Sequence, residues 1–241
     1  MGNVINLAKK AKVVLEKKAI FGEKAHVVLA IDISGSMSYE YHNGVVQELV
    51  DRLLGIGMNM DTDRCIDVFA FGKKDYEIGS ATEKNHEEFV NNVLLKKVSL
   101  EGSTYYAGAM NRIVNKFGNP IKPAKQGFFA KFLGKKQPEK KTDIPTLVFF
   151  VTDGDNFDKS EAERIINESS NQAIFWQFVG IGRERFAFLQ KLDDLQGRYL
   201  DNADFFSVSD LSQVSDDDLY NKLLNEFPQW IKDARAKGVL S

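Results

Sequence analysis

His26-Val27-Val28-Leu29-Ala30-Ile31-Asp32-Ile33-Ser34 is a continuous apolar run that closes on polar residues. Continuous rather than alternating hydrophobicity is the pattern of a strand covered on both faces, as in a parallel sheet between helix layers. Thr146–Asp153 (TLVFFVTD) and Ala173–Gly182 (AIFWQFVGIG) repeat the pattern, and Arg64–Gly72 (RCIDVFAFG) adds a fourth strand rich in β-formers. Between these runs, apolar residues recur at helical spacing. Val45, Val46, Leu49, Leu53 and Leu54 mark a helix within residues 38–56, and Ala107, Met110, Ile113, Val114 and Phe117 mark one over 104–117. Ser160–Glu163 has the form of a capping box opening a helix that ends near Ser170. A last helix, about 216–237, is acidic at its start and basic at its end, which suits the helix dipole. Strands alternating with helices imply right-handed βαβ units. The expected fold is therefore α/β, a doubly wound, mostly parallel sheet flanked by helices on both faces. Ligands of such sheets bind at the carboxyl ends of the strands, so the functional residues are sought just after each apolar run.

The chain has 241 residues, 43% hydrophobic and 27% charged, which is globular composition. No apolar run approaches the ~18 residues of a membrane span. The opening MGNVINLAKKAKVVLEKK lacks the apolar block of a secretory signal. Cys65 is the only cysteine, which excludes an intrachain disulfide framework and fits a reducing, cytoplasmic compartment. Three histidines, with no CxxC and no HExxH, argue against classical zinc chemistry. The net charge of −2 gives no global reason to expect nucleic acid. Basic charge is concentrated in two places: six lysines against two glutamates in residues 1–24, and seven lysines against Glu139 and Asp143 in residues 119–143. With no repeat or low-complexity linker, the expectation is one domain over 1–241, carrying a basic amino-terminal segment (1–24) and a basic, Pro/Lys-rich insertion (118–145). In the first segment Val4, Leu7, Ala8, Ala11, Val14 and Leu15 recur at helical spacing. Docking on its own domain is the expected role, with an anionic surface as the alternative. The insertion mixes aromatics with lysines in GFFAKFLGKK. It reads as a solvated loop with tucked phenylalanines, and the sharper alternatives are a membrane-surface contact or a partner-binding element.

The chemistry-bearing residues fall where the fold places ligands. Asp32-Ile33-Ser34-Gly35-Ser36 follows the first strand, Gly102-Ser103-Thr104 opens a helix, and Thr152-Asp153-Gly154 follows the TLVFFVT strand. Asp32, Ser34 and Ser36 alternate, so a tight turn at Gly35 can aim three oxygens inward. Two carboxylates and three hydroxyls, with no nitrogen or sulfur, make a hard oxygen set suited to Mg²⁺, Mn²⁺ or Ca²⁺. Taken singly, each piece has a plainer reading: Asp32-Ile33-Ser34 as a helix N-cap and Thr152-Asp153-Gly154 as a turn. Their shared context, strand end, helix start and strand end, favours a site.

Asp32-Ile33-Ser34-Gly35-Ser36-Met37, Thr104 and Thr152-Asp153-Gly154 resemble the metal-ion-dependent adhesion site of von Willebrand factor A (vWA) domains. The family's D-x-S-x-S, then Thr, then Asp is met at every position, and the likeness extends over most of the chain. Ile5–Lys10 (INLAKK), Val14–Lys18 (VLEKK) and the DISGSM context resemble a narrower branch, the A domain at the carboxyl end of TerF-like tellurium-resistance proteins. The resemblance implies one divalent cation, Mg²⁺ first and Mn²⁺ or Ca²⁺ after it. Ser34, Ser36 and Thr104 would be hydroxyl ligands, and Asp32 and Asp153 would bind directly or through water. It further implies a non-enzymatic interaction module that holds an Asp or Glu of a protein partner, in a bacterial tellurite- or stress-resistance setting.

Three rivals are weighed against this. A metal-dependent phosphoester hydrolase lacks the second acid of a DxD motif, since Ser34 stands there, and His42 is the one nearby base. Nucleotide binding fails on its motifs: Phe129 replaces the first glycine of a P-loop, and Arg185 the third glycine after Gly180-Ile181-Gly182. A metal-free scaffold is the third. Tyr39 and Tyr41 are expected to rim a ligand groove or to pack, and Asp155 and Asp158 to cap the following helix. Asp216-Asp217-Asp218 reads as a helix start.

Overall fold

The structure is a computed structural model that describes residues 2–121 and 144–241. Its strands are β1 (His26–Asp32), β2 (Cys65–Phe71), β3 (Asp75–Thr82), β4 (Thr146–Thr152), β5 (Ile174–Ile181) and β6 (Ala203–Val208). They form one sheet in the order β3-β2-β1-β4-β5-β6. Every pairing is parallel except β2–β3, which is antiparallel. The continuous apolar runs have a direct cause. In β1, Val27, Leu29 and Ile31 belong to the core on one face while Val28 and Ala30 belong to the core on the other. In β4, Leu147, Phe149 and Val151 face one way and Val148 and Phe150 the other.

The helices are α1 (Gly2–Lys17), α2 (Ser38–His42), α3 (Val45–Met60), α4 (Leu95–Lys97), α5 (Ala107–Phe117), α6 (Lys159–Ser169), α7 (Ala187–Asp193), α8 (Asp216–Leu223) and α9 (Phe227–Ala236). α1, α3, α8 and α9 supply the core of one face, and α5, α6 and α7 that of the other. The amino-terminal helix lies on α3, with Val4, Leu7, Ala11, Val14 and Leu15 buried. Gly55 of α3 permits that approach, because a Cβ there would stand 3.0 Å from the Leu7 backbone and 2.9 Å from the Tyr220 hydroxyl.

Several elements depart from the sequence expectations. The single helix expected over 38–56 is broken between α2 and α3 by Gly44, whose φ of +74° lies in the left-handed region that only glycine enters freely. The helix expected over 216–237 is likewise two, because Pro228 in the first turn of α9 starts a helix and cannot continue one. Ser160 lies inside α6, so the expected capping box does not form. Asp158 is the N-cap residue, and its side chain makes no bond to its own helix. It serves α5 instead, its two carboxylate oxygens accepting from the Tyr106 and Ala107 N–H groups at 2.9 and 2.8 Å. β3, β6 and α7 were not expected at all. β3 and β6 are the sheet's two edges, each paired on one side only, so their polar residues (DYEIGSAT, ADFFSV) hide the strand pattern. Of the 118–145 insertion, residues 122–143 lie outside the described residues. Among the described residues, no helix is long and apolar enough to cross a membrane.

Candidate functional site

Neighbours β1 and β4 carry the sheet's reversal of strand order: β1 leads to β2 on one side, β4 to β5 on the other. Asp32 ends β1, and Asp153 follows β4, so both carboxylates stand at the carboxyl edge of that switch point. The Asp32–Ser36 turn is fixed by three backbone bonds, one to the end of β2 and two to Glu101. The Ile33 N–H donates to the Phe71 carbonyl at 2.8 Å, the Gly35 N–H to the Glu101 carbonyl at 2.8 Å, and the Glu101 N–H to the Ile33 carbonyl at 2.7 Å. Tyr41 adds its hydroxyl, donating to the Asp32 carbonyl at 2.9 Å. Tyr41 is buried, so it braces the loop and does not rim a groove, while Tyr39 beside it is exposed.

Four of the five expected residues form one chain of polar contacts. The Ser34 N–H donates to Asp32 Oδ1 at 2.6 Å, the Ser34 and Ser36 hydroxyls lie 2.9 Å apart, and Ser36 Oγ donates to Asp153 Oδ1 at 2.9 Å. Thr104 stands outside this chain of contacts. It is buried, its carbonyl accepts from the Phe157 N–H at 3.1 Å, and its hydroxyl makes no hydrogen bond to the other four. It precedes α5 by two residues instead of opening it. The chain runs from a fully buried Asp32 to an exposed Ser36, so the site is closed below and open above.

Carboxylates dominate the electrostatics of the polar chain itself, while Lys159 and Arg185 line the space beside Asp153. Burial pushes the Asp32 carboxyl up to about 6, against hydrogen bonds from Thr152 and Ser34 that favour the ionised form. Asp153 is raised too, by burial first and then by Glu184 among other groups. Glu40 is raised by burial and by Asp153 and Asp210, and its Oε2 has no hydrogen-bond partner.

Sequence reasoning had missed the braces. Thr152 Oγ1 donates to Asp32 Oδ2 at 2.6 Å, and Tyr106, fully buried, donates from its hydroxyl to the Gly154 carbonyl at 2.7 Å. Thr152 sits inside a quoted motif; nothing local marks Tyr106 or Glu40. His42, the one base considered for hydrolysis, is exposed, its Nδ1 lying 2.7 Å from the Ser38 carbonyl. Asp155 pairs with Lys159. Asp216 pairs with Arg52 and Lys10, and Asp218 is bonded to the Ser215 N-cap, so the acidic run is a helix start. Beside Ser36 and Asp153 opens a cavity of about 360 Å³, bounded by Lys159, Glu184, Phe186 and Phe188. Tyr105 and Phe157, rings 5.6 Å apart, are exposed on the loops next to it.

This architecture, with its acid–hydroxyl cluster at the switch point, defines a vWA-type α/β domain. The chain belongs to the vWA-TerF-like family, described as the vWA found in the TerF C terminus, whose model matches residues 24–240. It is 36% identical over 237 residues to the uncharacterized protein YcbR of Bacillus subtilis strain 168, covering 98% of this chain and 90% of that protein. Among solved structures it is similar to an aerotolerance-related membrane protein from Bacteroides fragilis, with TM-score 0.53 and 16% identity over 85% of this chain and 99% of that one. It is also similar to proximal thread matrix protein 1 of the mussel byssus, with TM-score 0.51 and 16% identity over 84% of this chain. The chain spans 47% of that protein's length. These two likenesses carry the fold. Domains of this class are in general protein-interaction modules, often metal-dependent.

Proposed function

We propose that this protein is a non-enzymatic, divalent-metal-dependent interaction module that captures an acidic residue of a protein partner. The observation that carries the reading is the continuous polar chain Asp32–Ser34–Ser36–Asp153, with both carboxylates raised by burial. A hard dication fits that donor set. It would relieve a buried negative charge that the Thr152 and Ser34 donors only partly satisfy. Asp32, Ser34, Ser36, Thr104 and Asp153 would hold the metal, with Mg²⁺ the first candidate. When bound, it supplies an electrophilic position for a carboxylate oxygen.

The protein's own residues set the rest. Glu40 and Glu184 add negative potential around Asp153. That field draws a cation in and repels an acidic partner while no metal is bound. Metal occupancy thus cancels the charge of Asp32 and Asp153 and leaves an electrophilic point for the partner's carboxylate. Exposed Tyr39, Tyr105 and Phe157 offer apolar contact around the carboxylate's point of entry. Membership of the TerF-like branch supports a bacterial, cytoplasmic setting in tellurite or general stress resistance.

Immobilised wild-type protein and its Asp32→Ala variant, challenged with lysate with Mg²⁺ or with a chelator, test the reading. Capture of a partner by the wild type with Mg²⁺ alone, released on chelation, is expected. Equal capture by the variant would overturn it.

A further inference from the structure

A second acidic cluster lies at the opposite, amino-terminal edge of the sheet. Asp193 is the last residue of α7, Asp204 the second of β6, and Glu226 the N-cap of α9. One carboxylate oxygen from each lies within 4.8 Å of the other two, although the three residues come from separate elements. Asp204 is 95% buried; donors of Phe205, Gln177, Asn225 and Glu226 favour its ionised form, but its Oδ2 has no close hydrogen-bond partner among the described residues. On the neighbouring strand, Gln177 pairs in register with Asp204, is fully buried, and leaves its Oε1 without a close partner among the described residues. A buried carboxylate oxygen without a close partner is costly unless something positive reaches it. Lys18 acts on Asp204 through its charge, and the nearby Arg198 is committed elsewhere. It forms an ion pair with Asp201 at 2.6 Å, donates from Nε to the Leu195 carbonyl at 2.7 Å, and donates to the Asp193 carbonyl and the Asn202 side chain. None of these bonds ends on the three clustered carboxylates.

We propose that Asp193, Asp204 and Glu226 form a second site for a hard divalent cation, independent of the Asp32–Asp153 site. Ca²⁺ is the first candidate, because carboxylates from three separate elements meet its loose, variable coordination more readily than the strict octahedron of Mg²⁺. Three carboxylates without nitrogen or sulfur also suit calcium. A cation here ties α7, β6 and the α8–α9 junction together. The competing way to relieve the cluster is a proton: burial and the neighbouring acids, Asp204 first, push Asp193 up to about 7.

The test uses the full chain carrying Asp32→Ala, so that the first site does not contribute. Ca²⁺ titration by calorimetry, at pH 8, is compared with the same chain carrying Asp204→Asn in addition. Tb³⁺ emission excited through tryptophan is read in parallel, because Trp230 lines the same cleft as Glu226. One Ca²⁺ equivalent in the first protein, weakened at least tenfold with Asp204→Asn and with Tb³⁺ emission lost, is the expected result. If Asp204→Asn does not fold, Glu226→Gln at the cluster's open side takes its place, with the same loss expected. Absence of Ca²⁺ binding in the Asp32→Ala chain, or binding equal in both proteins, overturns the proposal and leaves the cluster to protons.

Discussion

Replacing Asp32 with asparagine should stabilise the metal-free protein at pH 8. Asp32 titrates at about 6 where an ordinary aspartate titrates at 3.8. At about 1.4 kcal/mol per tenfold change in proton affinity, keeping this carboxylate ionised costs the fold about 3 kcal/mol. The sign follows from proton counting. Between pH 4 and 6 the folded state holds the proton more than the unfolded state does, so stability falls as pH rises through that window. Below it the cost is absent, and above it the cost is complete. Asparagine removes the charge and keeps the shape. Its oxygen still accepts from the Ser34 N–H, and its amide faces Thr152 Oγ1, which can turn to donate to the Gly154 carbonyl, 3.4 Å away. The ceiling on the gain is therefore ~3 kcal/mol, or a melting temperature up to ~12 °C higher for a domain of this size. Thermal melts of chelator-treated wild type and Asp32→Asn from pH 4 to pH 8 read the effect. The curves should converge near pH 4 and separate above pH 6, and Mg²⁺ should raise the wild type alone. An asparagine variant less stable than wild type at pH 8, or a gap independent of pH, would refute the reasoning.

Four further outcomes are expected. Thr104→Ala should weaken Mg²⁺ at least tenfold by equilibrium dialysis while moving the melting temperature little, because the hydroxyl bonds none of the other site residues. Wild-type Mg²⁺ affinity should fall about tenfold per pH unit below pH 6, as a proton competes for Asp32; affinity that is flat from pH 7 to pH 5 counts against Asp32 as a ligand. Asp158→Ala should destabilise the fold by ~1–2 kcal/mol in urea melts, since the N–H groups of Tyr106 and Ala107 lose their acceptor. Purified protein with Mg²⁺ should not hydrolyse a chromogenic phosphoester, and turnover abolished by Asp153→Ala would make it an enzyme.

How much of this was legible depended on whether the cause was local. β1, β4 and β5 could be read from sequence because burial on both faces leaves an unbroken apolar run. Asp32, Ser34, Ser36 and Asp153 could be sought together because fold topology brings the ends of such runs together, and the structure places the four in one chain of polar contacts. β3 and β6 escaped because an edge strand need not be apolar, and the α2–α3 break because one glycine in a helical pattern is ordinarily tolerated. The capping box misled because Asp158 caps a helix some fifty residues earlier in the chain. Glu40, Thr152 and Tyr106 act on the site through three-dimensional neighbours. Short-range pattern carries no trace of such pairs.

The account rests most directly on Mg²⁺ binding by chelator-stripped protein, measured by calorimetry beside Asp153→Ala, a substitution at the half-buried end of the polar chain. Saturable binding by the wild type, lost in the variant while both remain folded, is the predicted result. Binding equal in the two proteins, or none with Mg²⁺, Mn²⁺ or Ca²⁺ that depends on Asp153, would contradict it.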